Sequence, residues 1–339
     1  MIIDAQHHAM PRNVFEKFHD PSLPPKRVFL NDNDFVFAPR LCLIDEHISA
    51  MDEAGVDMAV LSMSQFGNLM GKELCREINE GFADIAVKYP GRFAIAGCFP
   101  QDDPEAAVAE IEYQVKTLGF PAVTMLTSLS PEITLSSKEY MFPIYDKAAE
   151  LGVPVFLHPH LKPFGMETEC TINRTLGRGL DSAKAVLRII YDIFPHYPDL
   201  KFILPHLGGA TFALKGRIMN FFEPWPELGL PPRKPEYANL ACTPLELEEL
   251  GYDKAFNEMF DKLYFDGAGS GGWPVITEMA FKAARSDRLC FGSDYPYETH
   301  EGRDFKRYLD SLDEIGLTKA QQEDFLGNNL AKLLNLKER

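Results

Sequence analysis

Seven residues of this chain sit where short apolar runs stop, and each can bind a metal ion or move a proton. IIDAQHH (residues 2–8) ends in Gln6, His7 and His8, and VPVFLHPH (153–160) ends in His158 and His160. KFILPHLGG (201–209) carries His206, and LCFGSDYP (289–296) carries Asp294. Imidazoles and carboxylates are the donors of catalytic metal sites, which commonly use three side chains and leave a position for water. His8, His158 and Asp294 would supply that trio. An ion held there would activate water or clamp the oxygens of a substrate. Asp294 ends an otherwise apolar run, and burying its carboxylate demands a cation or strong donors beside it. His206 reads either as a further ligand or as a free acid or base. The glycines after it allow close approach, and a helix beginning near Ala210 would offer N–H groups to an anion. His160 shares the parity of His158 and is expected to face substrate.

These residues meet only if the runs that carry them end on one face. Eight short stretches rich in Val, Ile, Leu, Phe and Ala read as strands: 2–7, 57–63, 92–98, 122–126, 154–158, 201–206, 262–267 and 288–294. Their near-continuous apolarity suits strands covered on both sides. Helix-period segments separate them, at 44–55, 72–89, 104–118, 139–151, 181–196, 210–222 and 274–286. Asp103 before Pro104 is a helix start, Thr318 with Gln321 forms a capping-box pattern, and Gly55, Gly119 and Gly152 close helices ahead of strands. Strict alternation of eight such units predicts a (β/α)8 TIM barrel, with residues 1–339 as one domain. In that fold every strand end opens onto the same face. An open doubly wound sheet is the alternative, but the chain lacks a Gly-rich phosphate loop after its first strand.

Alternation within the first strand places Asp4, Gln6 and His8 on one face and His7 on the other. Three long connections, 9–43, 159–180 and 223–261, leave the active face and are rich in Pro and aromatics. Loops of that length are expected to wall or cover a site. Phe29, Phe35, Phe164 and Trp225 within them, with Phe222 at the edge of the third, would suit a flat ring.

The net charge of −16 with no Lys/Arg-rich run argues against nucleic acid or an anionic membrane as partner. No apolar stretch approaches a membrane span, and the start has no basic leader segment. Six scattered cysteines form no CxxC pair and read as reduced, so a cytoplasmic location is expected.

Read together, the stretches IDAQHHAMP, MDEAGVDMAVLS (51–62), VFLHP (155–159), HLGGATFALKGRI (206–218), LYFDGAGS (263–270), FGSDYPYE (291–298) and GNNLAKLL (327–334) resemble a known family. It is the aminocarboxymuconate-semialdehyde decarboxylase-like branch of the amidohydrolase superfamily, and the resemblance spans nearly the whole chain. It implies a (β/α)8 enzyme with one divalent metal, with zinc expected and manganese as the alternative. By position it assigns His8, His158 and Asp294 as ligands and His206 as the catalytic histidine. The first ligand of that family is usually His, or Glu in some decarboxylases; here it is Gln6. Four readings of Gln6 stand: a weak ligand through its carbonyl oxygen, a holder of a metal-bound water, the sign of a weak metal site, or the mark of a chain that has lost catalysis. Where the muconate-semialdehyde enzymes place a carboxylate-binding Arg, this chain has His47. Arg12, Arg40, Lys162 and Arg174 are further cations for a substrate carboxylate, Arg174 foremost.

The resemblance therefore implies a non-oxidative decarboxylase acting on an aromatic or unsaturated hydroxy or keto acid, and a homodimer or homotetramer. A metal-dependent hydrolase or hydratase of a lactone, ester or unsaturated acid is the alternative. A barrel that binds a small molecule without turning it over is the third reading.

Overall fold

The computed structural model describes residues 1–30, 33–161, 172–237, 240–269 and 273–336. Strand β1 (Ile3–His8) opens the chain, and a hairpin of β2 (Lys26–Leu30) and β3 (Asn33–Phe37) follows. Then come β4 (Met58–Ser62), β5 (Phe93–Gly97), β6 (Ala122–Leu126), β7 (Val155–His158), β8 (Phe202–Leu204), β9 (Tyr264–Asp266) and β10 (Leu289–Cys290). Apart from the hairpin, these form one eight-stranded sheet in the order β1-β4-β5-β6-β7-β8-β9-β10, and every pairing is parallel. Backbone bonds from Ala5 N–H to the Phe291 carbonyl (2.8 Å), Asp294 N–H to Gln6 (3.0 Å) and His8 N–H to Tyr295 (2.7 Å) join the last strand to the first. The result is a (β/α)8 barrel, with all eight expected strands present.

The barrel interior is packed with small and medium side chains, among them Ile3, Ala5, Val60, Ala94, Ala96, Ile203 and Cys290, around Phe156. A larger apolar layer lies between strands and helices. The helix starts and stops are chemical. The Asp103 side chain accepts the Ala106 N–H ahead of a first-position Pro104, and Thr318 and Gln321 form a reciprocal capping box. Gly55 and Gly152 end their helices in the left-handed region, at φ 75° and 67°.

Two expectations are corrected. A bulge in β1, where Asp4 to His7 spans only Ala59 to Leu61 on β4, breaks the strict alternation. Asp4 therefore shares a side with His7, whose Nδ1 lies 2.8 Å from its carboxylate, and not with Gln6 and His8. The bulge turns Gln6 and His8 to the opposite side, where Gln6 reaches His8 at 3.5 Å. The long connections also hold more regular structure than loops. Residues 9–43 contain the antiparallel hairpin, whose Phe35 and Phe37 pack with Phe15, Phe18 and Phe66. Residues 223–261 contain the helices Pro244–Leu250 and Tyr252–Phe260. Phe222 is buried against Phe256 and Tyr252, and Trp225 packs on the same core, so neither is held out for a ligand. Lys162, Phe164 and Cys170 lie outside the described residues, as does the side chain of Phe29.

Among the described residues, no helix is long and apolar enough to cross a membrane. Cys42, Cys75, Cys98, Cys242 and Cys290 are all free and buried.

Candidate active site

The strand ends converge as the barrel requires. His8, from the end of β1, brings its Nε2 to 3.0 Å from Oδ1 of Asp294, which follows β10. His158 ends β7, and its ring meets that of His8 edge-on at 5.4 Å between centroids. His206 follows β8, its ring 6.3 Å from that of His158. His8 is fully enclosed, and His158 and Asp294 are 7% and 8% exposed, while His206 is half-buried at the rim.

The orientation of the two enclosed imidazoles fits a metal. His158 Nδ1 donates to the Pro159 carbonyl at 2.7 Å, and His8 Nδ1 faces the Ser62 carbonyl at 3.3 Å. A ring whose Nδ1 proton is committed to a carbonyl presents a lone pair at Nε2, the usual arrangement of a metal-ligating histidine. The Nε2 lone pair of His8 then faces a carboxylate oxygen at 3.0 Å. Two acceptors at that separation need a proton or a cation between them.

Backbone strain marks the same positions. His206 and Asp294 both sit at φ 54°, and Leu207 sits at 52°, a region that side-chain-bearing residues seldom adopt. Gly209 is required for a different reason: a Cβ there would lie 2.2 Å from the Gly179 carbonyl oxygen. Gly269, at φ 74°, passes beneath the catalytic candidate, since a Cβ would stand 2.7 Å from His206 Nδ1.

The electrostatics are those of a desolvated polar cluster. Burial drives the His158 pKa well below its ordinary value, with the positive character of His8 and His206 adding to the effect. Burial pushes Asp294 up, but its close contact with His8 and the neighbouring His206 and His158 bring it below the usual carboxylate range.

Two acids that sequence reasoning missed belong here. Asp266, at the end of β9, is buried and pushed up to about 8, first by desolvation; Asp294 and Asp4 push the same way, against N–H bonds from Ala268 and His206. Its signal was the one already used for Asp294, a carboxylate closing an apolar strand. Glu298, exposed at the rim, is raised by desolvation and by Asp294. His206, Asp294 and Glu298 each bring a donor atom within 4.8 Å of the others. That set shares Asp294 with the His8–His158 set. The latter has its imidazoles oriented by backbone carbonyls.

Gln6 points its amide at Asp266. With the nitrogen toward the carboxylate it donates to Oδ1 at 3.0 Å and Oδ2 at 3.1 Å; the opposite orientation would set oxygen against oxygen. Tyr297 lines the cluster from above, its ring 5.6 Å from His8, and its hydroxyl donates to the Val36 carbonyl of the hairpin at 3.2 Å.

Other expected site residues lie elsewhere or contribute differently. His47 does not join the strand-end cluster. It is fully buried, with Nδ1 3.0 Å from His7 Nε2 and Nε2 2.5 Å from the Arg40 carbonyl. Burial and the neighbouring His7 hold its pKa down to about 3, so it is neutral and cannot serve as the expected cation. His160 is buried, and its backbone N–H donates to Asp181 (3.2 Å) and Thr127 (3.3 Å). Arg174 is exposed, and its charge reaches the Tyr297 hydroxyl together with that of Arg178. Arg12 pairs with Glu16 at the surface, and Arg40 lies near Glu46 and Glu301.

Comparison with known proteins gives the family and the fold. A gamma-resorcylate decarboxylase of Polaromonas sp. is 26% identical over 272 residues, covering 75% of this chain and 77% of its own length. A 6-methylsalicylic acid decarboxylase of Penicillium expansum is 28% identical over 256 residues, covering 73% and 71%. Among solved structures, a dihydroxybenzoic acid decarboxylase from Polaromonas sp. with bound manganese and the inhibitor 2-nitroresorcinol superposes with a TM-score of 0.74 at 21% identity, covering 100% of this chain and 98% of that one. The family model described as Amidohydrolase matches residues 3–336, and the chain belongs to that family.

Proposed function

We propose that this chain is a divalent-metal-dependent, non-oxidative decarboxylase of an aromatic or unsaturated hydroxy or keto acid, and that residues 1–339 form one catalytic unit. The observation that carries the reading is the facing pair of His8 Nε2 and Asp294 Oδ1, 3.0 Å apart on a floor shared with His158 and His206. The naming of the curated relatives as decarboxylases supports the reaction class.

His8, His158 and Asp294 would hold the ion. When bound, it supplies Lewis acidity to a substrate hydroxyl or keto oxygen beside the carboxylate. The chain's own groups do the rest. Asp294, loaded with a proton through His206, delivers it to the carbon that bears the carboxylate, the carbon–carbon bond breaks, and CO2 leaves. His206 stabilises the developing oxyanion and restores the proton. His160 and Arg174 are proposed to meet substrate, Arg174 at the exposed edge. A mixed imidazole and oxygen donor set accepts zinc or manganese, and manganese in the Polaromonas structure supports manganese here. The reduced cysteines suit a cytoplasmic setting, and a homodimer or homotetramer is proposed on the family resemblance.

The same donors would serve a hydrolase, but the curated relatives favour carbon–carbon cleavage. The test is a panel of carboxylated phenols and of lactones, given to manganese- or zinc-loaded protein. CO2 release from a carboxylated phenol is expected. Lactone turnover alone would move the chain to the hydrolase class.

A further inference from the structure

The terminal amide of Gln6 lies between two groups that demand opposite partners. On one side is Asp266, a buried carboxylate that accepts through both oxygens. On the other is His8 Nε2, 3.5 Å from the amide, the nitrogen whose lone pair is directed at Asp294. Two hydrogen bonds to Asp266, at 3.0 and 3.1 Å, require the amide nitrogen on that side. The carbonyl oxygen is thereby turned toward the space that His8 Nε2 also faces. Asp266 is itself anchored, because its Oδ1 accepts the N–H groups of His206 (3.2 Å) and Ala268 (3.0 Å).

We propose that Gln6 is an oxygen-donating ligand of the site's cation and that Asp266 is the residue that positions it. This inference rests on the metal-dependent reading above. The pair gives the ion a neutral oxygen, held in place by a buried partner that is itself anchored to the backbone. Carbonyl oxygen is a harder donor than imidazole nitrogen, so the pair favours manganese over zinc relative to a Gln6→His variant.

The test is metal affinity of the full chain by chelator competition with Mn2+, alongside the visible spectrum of the Co2+ form. In Asp266→Asn, the new amide would attract the Gln6 oxygen away from the ion. Outer-shell partners of this kind are worth about 10- to 100-fold in affinity. A loss of that size is expected for Asp266→Asn and for Gln6→Leu, with no further loss when the two are combined. The exchange of Gln6→Glu with Asp266→Asn reverses the hydrogen bond, because the amide now stands on β9 and donates to a carboxylate on β1. That exchange is expected to recover affinity and restore the Co2+ spectrum. A merely structural role for Asp266 would not produce that recovery.

Unchanged affinity in both single variants, or an exchange variant no better than Asp266→Asn, overturns the assignment while leaving the proposed function intact. Wild-type chain that takes up no divalent metal overturns both. Thermal unfolding of the metal-free variants separates lost ligation from lost fold, and if Asp266→Asn does not fold, Gln6→Leu and the exchange variant decide the matter.

Discussion

Nε2 of His8 lies 3.0 Å from Oδ1 of Asp294, although the two residues stand near opposite ends of the chain. Closure of the barrel creates this contact, because the Asp294 N–H binds the Gln6 carbonyl and the His8 N–H binds that of Tyr295. The proposed ligand pair and the seam of the fold are therefore one structure. Changing Asp294 to Asn should keep the seam, which uses backbone atoms, and remove the charge. Metal affinity is expected to fall at least about 10-fold and turnover by about 10² to 10⁴. Calorimetric metal titration beside steady-state kinetics would check this, and retained affinity would show that Asp294 is not a ligand.

The role proposed for His206 is in the chemistry and not in holding the ion. In His206→Asn, metal content should match wild type while kcat drops about 10² to 10⁴ and KM changes little. Loss of the metal would instead make His206 a ligand and shift weight to the set it forms with Asp294 and Glu298.

Gly269 should not tolerate a side chain. Alanine there would be strained at φ 74° and would press a methyl to 2.7 Å from His206 Nδ1. Gly269→Ala is expected to lower stability by at least about 1 kcal/mol and to lower kcat by displacing His206, with metal content kept. Wild-type kinetics in this variant would show that the His206 ring is free to move aside.

The His47 pKa, held at about 3 against an ordinary 6.5, sets a pH trend in stability. Between those values the unfolded chain binds a proton that the folded chain refuses, so lower pH favours unfolding. The contribution is fully present above about pH 6.5 and is lost as pH falls toward 3. It is on the order of a few kcal/mol over that span. Chemical denaturation at several pH values from 7.5 to 4.5 should show a shallower acid slope in His47→Gln than in wild type. An identical slope would place the acid sensitivity elsewhere.

Much of this architecture was readable from the residues. Apolar runs covered on both sides can be found without a fold in hand, and all eight barrel strands were. Asp103, Thr318, Gly55 and Gly152 mark helix ends by local chemistry alone, which is why they were legible. His8, His158, His206 and Asp294 stand out because each closes such a run, and the barrel brings the four together. The β1 bulge was not legible, since one extra residue in a strand depends on the partner's register, and it put Asp4 on the side of His7. The surroundings of His47 were not legible, because its helix position says nothing of the ring nitrogens, which the His7 ring and the Arg40 carbonyl occupy. Asp266 carried a readable signal that was passed over. Glu298 did not, because only the turn after Asp294 brings it to the rim.

The most direct measurement is CO2 release from carboxylated phenols by protein stripped with chelator and then reloaded with manganese or zinc. Release that vanishes on stripping and returns with the metal is the expected result. If no member of the panel releases CO2 from fully loaded protein, the chain is not the decarboxylase proposed here.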